Sequence, residues 1–159
     1  MTNGSEEMAA AKKQKAGVIG LGSMGLGVAR TLLPAGWPRP KGYSNGIEAQ
    51  GRLVFVAGQI GWDERGQFPS SNFAGQFRQV LLNTLAVLKE AAAGPEHIVR
   101  MTWFVTSRDE YNAALTEIGA AYRELIGRHY PAMSVVVVAG LLESRAKVEI
   151  EATAVIPIH

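Results

Sequence analysis

The chain contains no cysteine. Disulfides, thiolate nucleophiles and cysteine-ligated zinc are therefore excluded, and a reducing compartment suits it. It also lacks an apolar run long enough to span a bilayer. The opening residues, MTNGSEEMAAAKKQK, are polar and carry an acidic pair, unlike a secretory leader. The expected location is the cytoplasm. Charge of one sign is scarce too: 16 Lys and Arg face 14 Asp and Glu, for a net charge of +2. No basic stripe interleaves with aromatics, so neither nucleic acid nor a membrane is an expected partner. The three histidines, His97, His129 and His159, show no metal-ligand spacing, and no metal site is expected.

What is present is a hydrophobic content of 47% spread over 159 residues, enough for one ordinary core. Residues 1–15 read as a tail. Residues 16–37 form a separate glycine-bearing block, and Pro38 and Pro40 mark a linker, since proline interrupts both helix and sheet. Regular patterning starts near Gly42. Residues 43–49 and 52–60 read as strands joined at Gln50-Gly51 into a hairpin. Phe73, Phe77, Val80, Leu81, Leu85 and Leu88 recur at helical spacing, predicting a helix over 72–93 with Ser71 or Asn72 as its cap. A strand over 98–106 follows. Next comes a helix over 108–129, with Asp109 as its cap. Strands over 133–138 and 146–156 complete the chain.

The order β-β-α-β-α-β-β predicts an α+β two-layer sandwich, with two helices on one face of a mixed sheet. Val135 and Val137 alternate with Val136 and Val138, so the fifth strand is apolar on both faces. Two helices cover only one side of a sheet. The other side therefore calls for packing between subunits.

Three segments together carry a resemblance. They are Val56-Ala57-Gly58-Gln59-Ile60, Lys147-Val148-Glu149-Ile150-Glu151-Ala152, and Tyr130-Pro131-Ala132 ahead of the fifth strand. In this order and spacing, residues 42–157 resemble the RidA/YjgF family. The resemblance implies a chorismate-mutase-like fold with a mixed six-stranded sheet, a homotrimer, and three clefts each built from two adjacent subunits. Deaminating members hydrolyse enamines and imines such as 2-aminoacrylate to keto acids and ammonia, with no metal or organic cofactor.

The same resemblance assigns roles. Glu149 matches the glutamate that positions water, suited to general acid–base work, and Tyr43 matches a tyrosine near the first strand. These two are the catalytic candidates. Gly58, whose backbone lines the cleft, joins Gln59, Met133 and Ser134 as the substrate-binding candidates. Met133 is a departure, because the family pattern has an arginine directly after Pro-Ala. A guanidinium grips a carboxylate through a planar fork, whereas a thioether offers only a soft apolar surface. The expected activity is therefore hydrolytic deamination of an enamine, imine or related metabolite other than the usual amino-acid-derived acids. The alternative is a trimer that binds a small metabolite without turnover. No histidine pair or basic stripe supports the ribonuclease label that the family also carries.

Gly20-Leu21-Gly22-Ser23-Met24-Gly25 fits GxGxxG and resembles the opening of β-hydroxyacid dehydrogenases. A dinucleotide fold needs a second strand ending in an acid, and Pro34, Pro38 and Pro40 interrupt that region. Residues 1–41 are thus expected to be an extension, a short β-α or helical appendage without NAD binding. Residues 42–159 are expected to form the RidA-like domain.

Overall fold

The computed structural model describes residues 29–158. Six strands and three helices follow in the order β1 (Ala29–Leu32), β2 (Gly46–Ala49), β3 (Arg52–Ile60), α1 (Phe73–Glu90), β4 (Ile98–Val105), α2 (Arg108–Ala113), α3 (Leu115–Leu125), β5 (Ala132–Val137) and β6 (Val148–Ile156). The main sheet runs β3-β6-β4-β5, with β4 and β5 parallel and the other neighbours antiparallel. The fold is the expected α+β sandwich with a mixed sheet. Its six strands divide four and two rather than forming one sheet, because β2 pairs with β1 and not with β3. Residues 29–32, read from sequence as part of an appendage, supply that partner strand. The GxGxxG block at 20–25 lies outside the described residues.

Helix α1 follows its predicted stripe. Phe77, Val80, Leu81 and Leu88 are fully buried, and the Asn72 side chain accepts from the Gly75 N–H at 2.8 Å. The helix stops at Glu90, short of Gly94, because the chain turns through Ala92 at φ 55°. That is left-handed backbone that an alanine adopts at a cost. Ala92→Gly is expected to raise stability by up to about 1 kcal/mol, read as a higher thermal midpoint. The expected 108–129 helix is instead two helices that part at Ala114, and Ser107 rather than Asp109 caps the first, accepting from the Glu110 N–H.

The core lies between the helices and one face of the sheet. Phe77 and Trp103 rings approach to 4.8 Å, and Trp103 leads on to Tyr122 and Tyr130. No residue before Val54 belongs to this cluster among the described residues. The opposite sheet face leaves large apolar side chains in solvent: Phe55 is 73% exposed and Leu53 56%. Strand β5, expected to be buried on both sides, is exposed from Ser134 to Val137 in the single chain. It is an edge strand, and edge strands invite pairing or packing by another chain.

Candidate functional site

Strand β3 does not pair evenly with β6. Val56 pairs with Ala152 and Gln59 with Ile150, so Ala57 and Gly58 together face Glu151 alone. This is a β-bulge, two residues opposite one, a device that re-aims backbone and side chains. The Glu149 side chain fills the space that the bulge leaves. A Cβ added at Gly58 would fall 1.9 Å from Glu149 Oε1 and 2.7 Å from its Cδ. Only glycine lets the carboxylate lie against this backbone. Gln59 folds back, its Nε2 donating to the Ala57 carbonyl at 3.2 Å.

Glu149 occupies the face away from the helices. It shares a rung with Phe104, whereas its neighbour Ile150 shares one with Trp103 and is fully buried in the core. Strand alternation then puts the two side chains on opposite faces. Gly58 and Glu149 thus meet at the β3–β6 junction, whereas Gln59, on the same rung as the core-facing Ile150, takes the helix face.

The other candidates gather at the β5 edge. Ser44 pairs with Ala132 in parallel, its N–H donating to the Pro131 carbonyl at 2.9 Å and its hydroxyl to the Tyr130 carbonyl at 2.6 Å. Ser44 is buried, and it holds the adjacent exposed Tyr43 beside the start of β5. Sequence reasoning missed Ser44; its place after Tyr43 was the available signal. Met133 shares a rung with the buried Met101 and so faces the helices, packing against the core. The Tyr122 hydroxyl stands 4.0 Å from Met133 Sδ and donates to the His129 carbonyl at 2.8 Å. Burial pushes the Tyr122 phenol well above the usual tyrosine range, so it stays a neutral donor. Ser134 shares a rung with Thr102 and takes the open face.

Met133 and Glu149 therefore lie on opposite faces of one protomer. Met133 does not adjoin Glu149 within a single chain. The register supplies the reason: β4 separates β5 from β6, and the rungs of the two residues differ in parity. Among the described residues, no group of three His, Asp or Glu stands close enough to hold a metal. No helix among them is long and apolar enough to cross a membrane.

The family profile described as Endoribonuclease L-PSP matches residues 38–156. The RutC family protein slr0709 of Synechocystis is 37% identical over 76% of this chain and 91% of its own. This chain belongs to the RidA/YjgF family. Its fold is that of other members. The solved Rid family protein YyfB of Yersinia pestis superposes with a TM-score of 0.70 at 32% identity, covering 81% of this chain and 99% of that one. Among RidA/YjgF relatives with an assigned reaction, the 2-iminobutanoate/2-iminopropanoate deaminase of Salmonella typhimurium is 32% identical over 71% of this chain and 86% of its own.

Proposed function

We propose that this RidA/YjgF protein is a cytoplasmic homotrimer that hydrolyses an enamine or imine lacking the usual carboxylate, in clefts shared between subunits. The observation that carries the reading is the Glu149 carboxylate lodged against the Gly58 bulge on the sheet face away from the helices. The second cluster, Tyr43, Met133 and Ser134, stands at the β5 edge. A cleft using both clusters needs the edge of one copy to meet the open face of another. The exposed Phe55, Leu53 and Val135–Val137 give such an assembly apolar surface to bury.

The chemistry uses only this chain's groups and water. Glu149 takes a proton from water as the water oxygen bonds to the imine carbon, and it returns that proton to the nitrogen, which regenerates the carboxylate. The carbinolamine then passes its hydroxyl proton to Glu149 and on to nitrogen. The C–N bond breaks, leaving a carbonyl compound and ammonia. Tyr43 donates a hydrogen bond to the bound molecule. Met133 makes the carboxylate-binding position apolar. A buried carboxylate there would lose its charge-assisted bonds. A panel of neutral and carboxylated imines, assayed for ammonia release, tests the reading. Turnover of neutral members alone supports it. Saturable binding with no release favours the second reading, a metabolite-binding trimer, which the packed thioether of Met133 also suits.

Light scattering is expected to give about three times the 17.0 kDa chain mass. Phe55→Glu is expected to reduce that to one chain while leaving the helical circular dichroism intact.

We also take residues 42–159 as the folding unit. The core cluster begins at Val54, and β1 pairs with β2, where Arg30 meets Glu48 on the surface. Removing residues 1–38 is expected to leave a cooperative melting transition lowered by no more than about 1 kcal/mol. A molten product would show that the ribbon is integral. The full chain is expected to show no NAD binding at millimolar cofactor.

A further inference from the structure

A groove of about 760 Å3 opens where β4 and β5 end and β6 begins, between the 68–71 loop and the 139–147 connection. Cavities of this size hold small metabolites. Both charged side chains in its lining are cations, Arg145 and Lys147. Their acidic partners, Glu143 and Glu110, stand outside the lining. Ser70, Ser71 and Ser144 add hydroxyls, and Phe68 and Leu141 supply apolar wall. Arg145 lies over the Phe68 ring, 4.8 Å from its centre.

The groove is held open by a side chain that the proposed chemistry does not use. Gln76 is 1% exposed. Its Nε2 donates to the Ser70 carbonyl at 3.3 Å and the Arg145 carbonyl at 2.9 Å, and its Oε1 accepts from the Lys147 N–H at 2.8 Å. One buried amide thus ties both walls to α1, so little ordering remains to be done when a ligand enters.

Glu143 and Arg145 are two residues apart in one solvated loop, paired at 3.1 Å. A pair of that kind contributes little. Its carboxylate is readily exchanged for an oxyanion arriving inside the groove, where the guanidinium offers a planar fork. None of the residues in the candidate cleft lines this groove. We propose that it is a second binding site, taking a small organic oxyanion, a carboxylate or phosphate ester, with Arg145 on the anionic head and Phe68 and Leu141 against the body.

Calorimetric titration of the full chain with phenyl phosphate, benzoate and inorganic phosphate tests this. Phenyl phosphate or benzoate is expected to saturate the groove, and which binds tighter identifies the head group. Arg145→Gln should weaken that binding about tenfold or more. Glu143→Gln should tighten it several-fold by removing the competing carboxylate. Opposite signs from two neighbouring positions on one loop are not produced by general loss of structure. Glu149→Gln should leave the affinity unchanged, which separates this site from the cleft and its failure from failure of the proposed reaction. Four results would overturn the assignment: no saturation by either organic probe at concentrations on the order of 10 mM, Arg145→Gln without effect, weaker binding in Glu143→Gln, or weaker binding in Glu149→Gln. Inorganic phosphate binding as tightly as phenyl phosphate would overturn the role given to the apolar wall.

Discussion

Met133→Arg is expected to raise hydrolysis of 2-aminoacrylate-type imines by about a hundredfold or more over a poor wild type. Met133 stands near the start of the edge strand, next to the Ala132 position that pairs with Ser44. Its backbone is fixed by the parallel ladder to β4, and its side chain is half-buried against Tyr122. An arginine there can lay its stem along the Tyr122 and Tyr130 rings and carry its guanidinium past the strand edge. A bidentate grip on a substrate carboxylate contributes a few kcal/mol, and that sets the size of the gain. Ammonia release from imine generated in situ, with light scattering on the same sample, checks it. An assembled but inactive variant would mean that the cleft differs in more than one residue. A wild type already fast on these substrates would mean that another cation serves. Arg52 is poorly placed for that, since its guanidinium donates to the Ala91 carbonyl at the end of α1. Arg145 pairs with Glu143 in the separate groove.

Glu149→Gln is expected to lower turnover of whichever imine the wild type accepts by about a hundredfold to ten-thousandfold, the usual span for loss of a general acid–base group. The amide keeps the shape that fits against Gly58 but cannot accept the proton from water. KM should therefore change far less than kcat. Gly58→Ala approaches the same group from the backbone side. Its methyl would overlap Glu149 Oε1, so the carboxylate must swing away from the bulge, and turnover should fall while folding survives. Undiminished activity in Glu149→Gln would remove the proposed chemistry from this carboxylate.

Much of the fold was legible in local pattern. The apolar spacing from Phe73 to Leu88 marked the buried stripe of α1, and Asn72 was readable as its cap because a short side-chain acceptor before a periodic run has few other uses. The strands at 52–60, 98–105 and 148–156 showed in their β-branched and aromatic content, close to their observed bounds. The signatures around Gly58 and Glu149, together with Tyr130-Pro131-Ala132, were enough to indicate the family.

What remained was decided by distant parts of the chain. The 46–49 strand looked like the first arm of a hairpin, because chain neighbours are the natural partners. It pairs instead with residues 29–32, a partner that local pattern left unspecified. Met133 and Glu149 could each be numbered from sequence, yet whether they meet depends on the register of β5 and β6 against β4. One step of register reverses a side chain's face, and apolar content cannot fix register in β5, where both faces are valine. The Ala57–Gly58 bulge, the Ser44 bridge and the Gln76 tie are all contacts between segments far apart in sequence. The sequence by itself determined which residues are apolar, where helices start and which family the chain resembles, because those follow from neighbours within a few positions. The tertiary structure alone decided which faces the functional side chains take and which of them share a site, because strand pairing is settled by packing across the whole sheet.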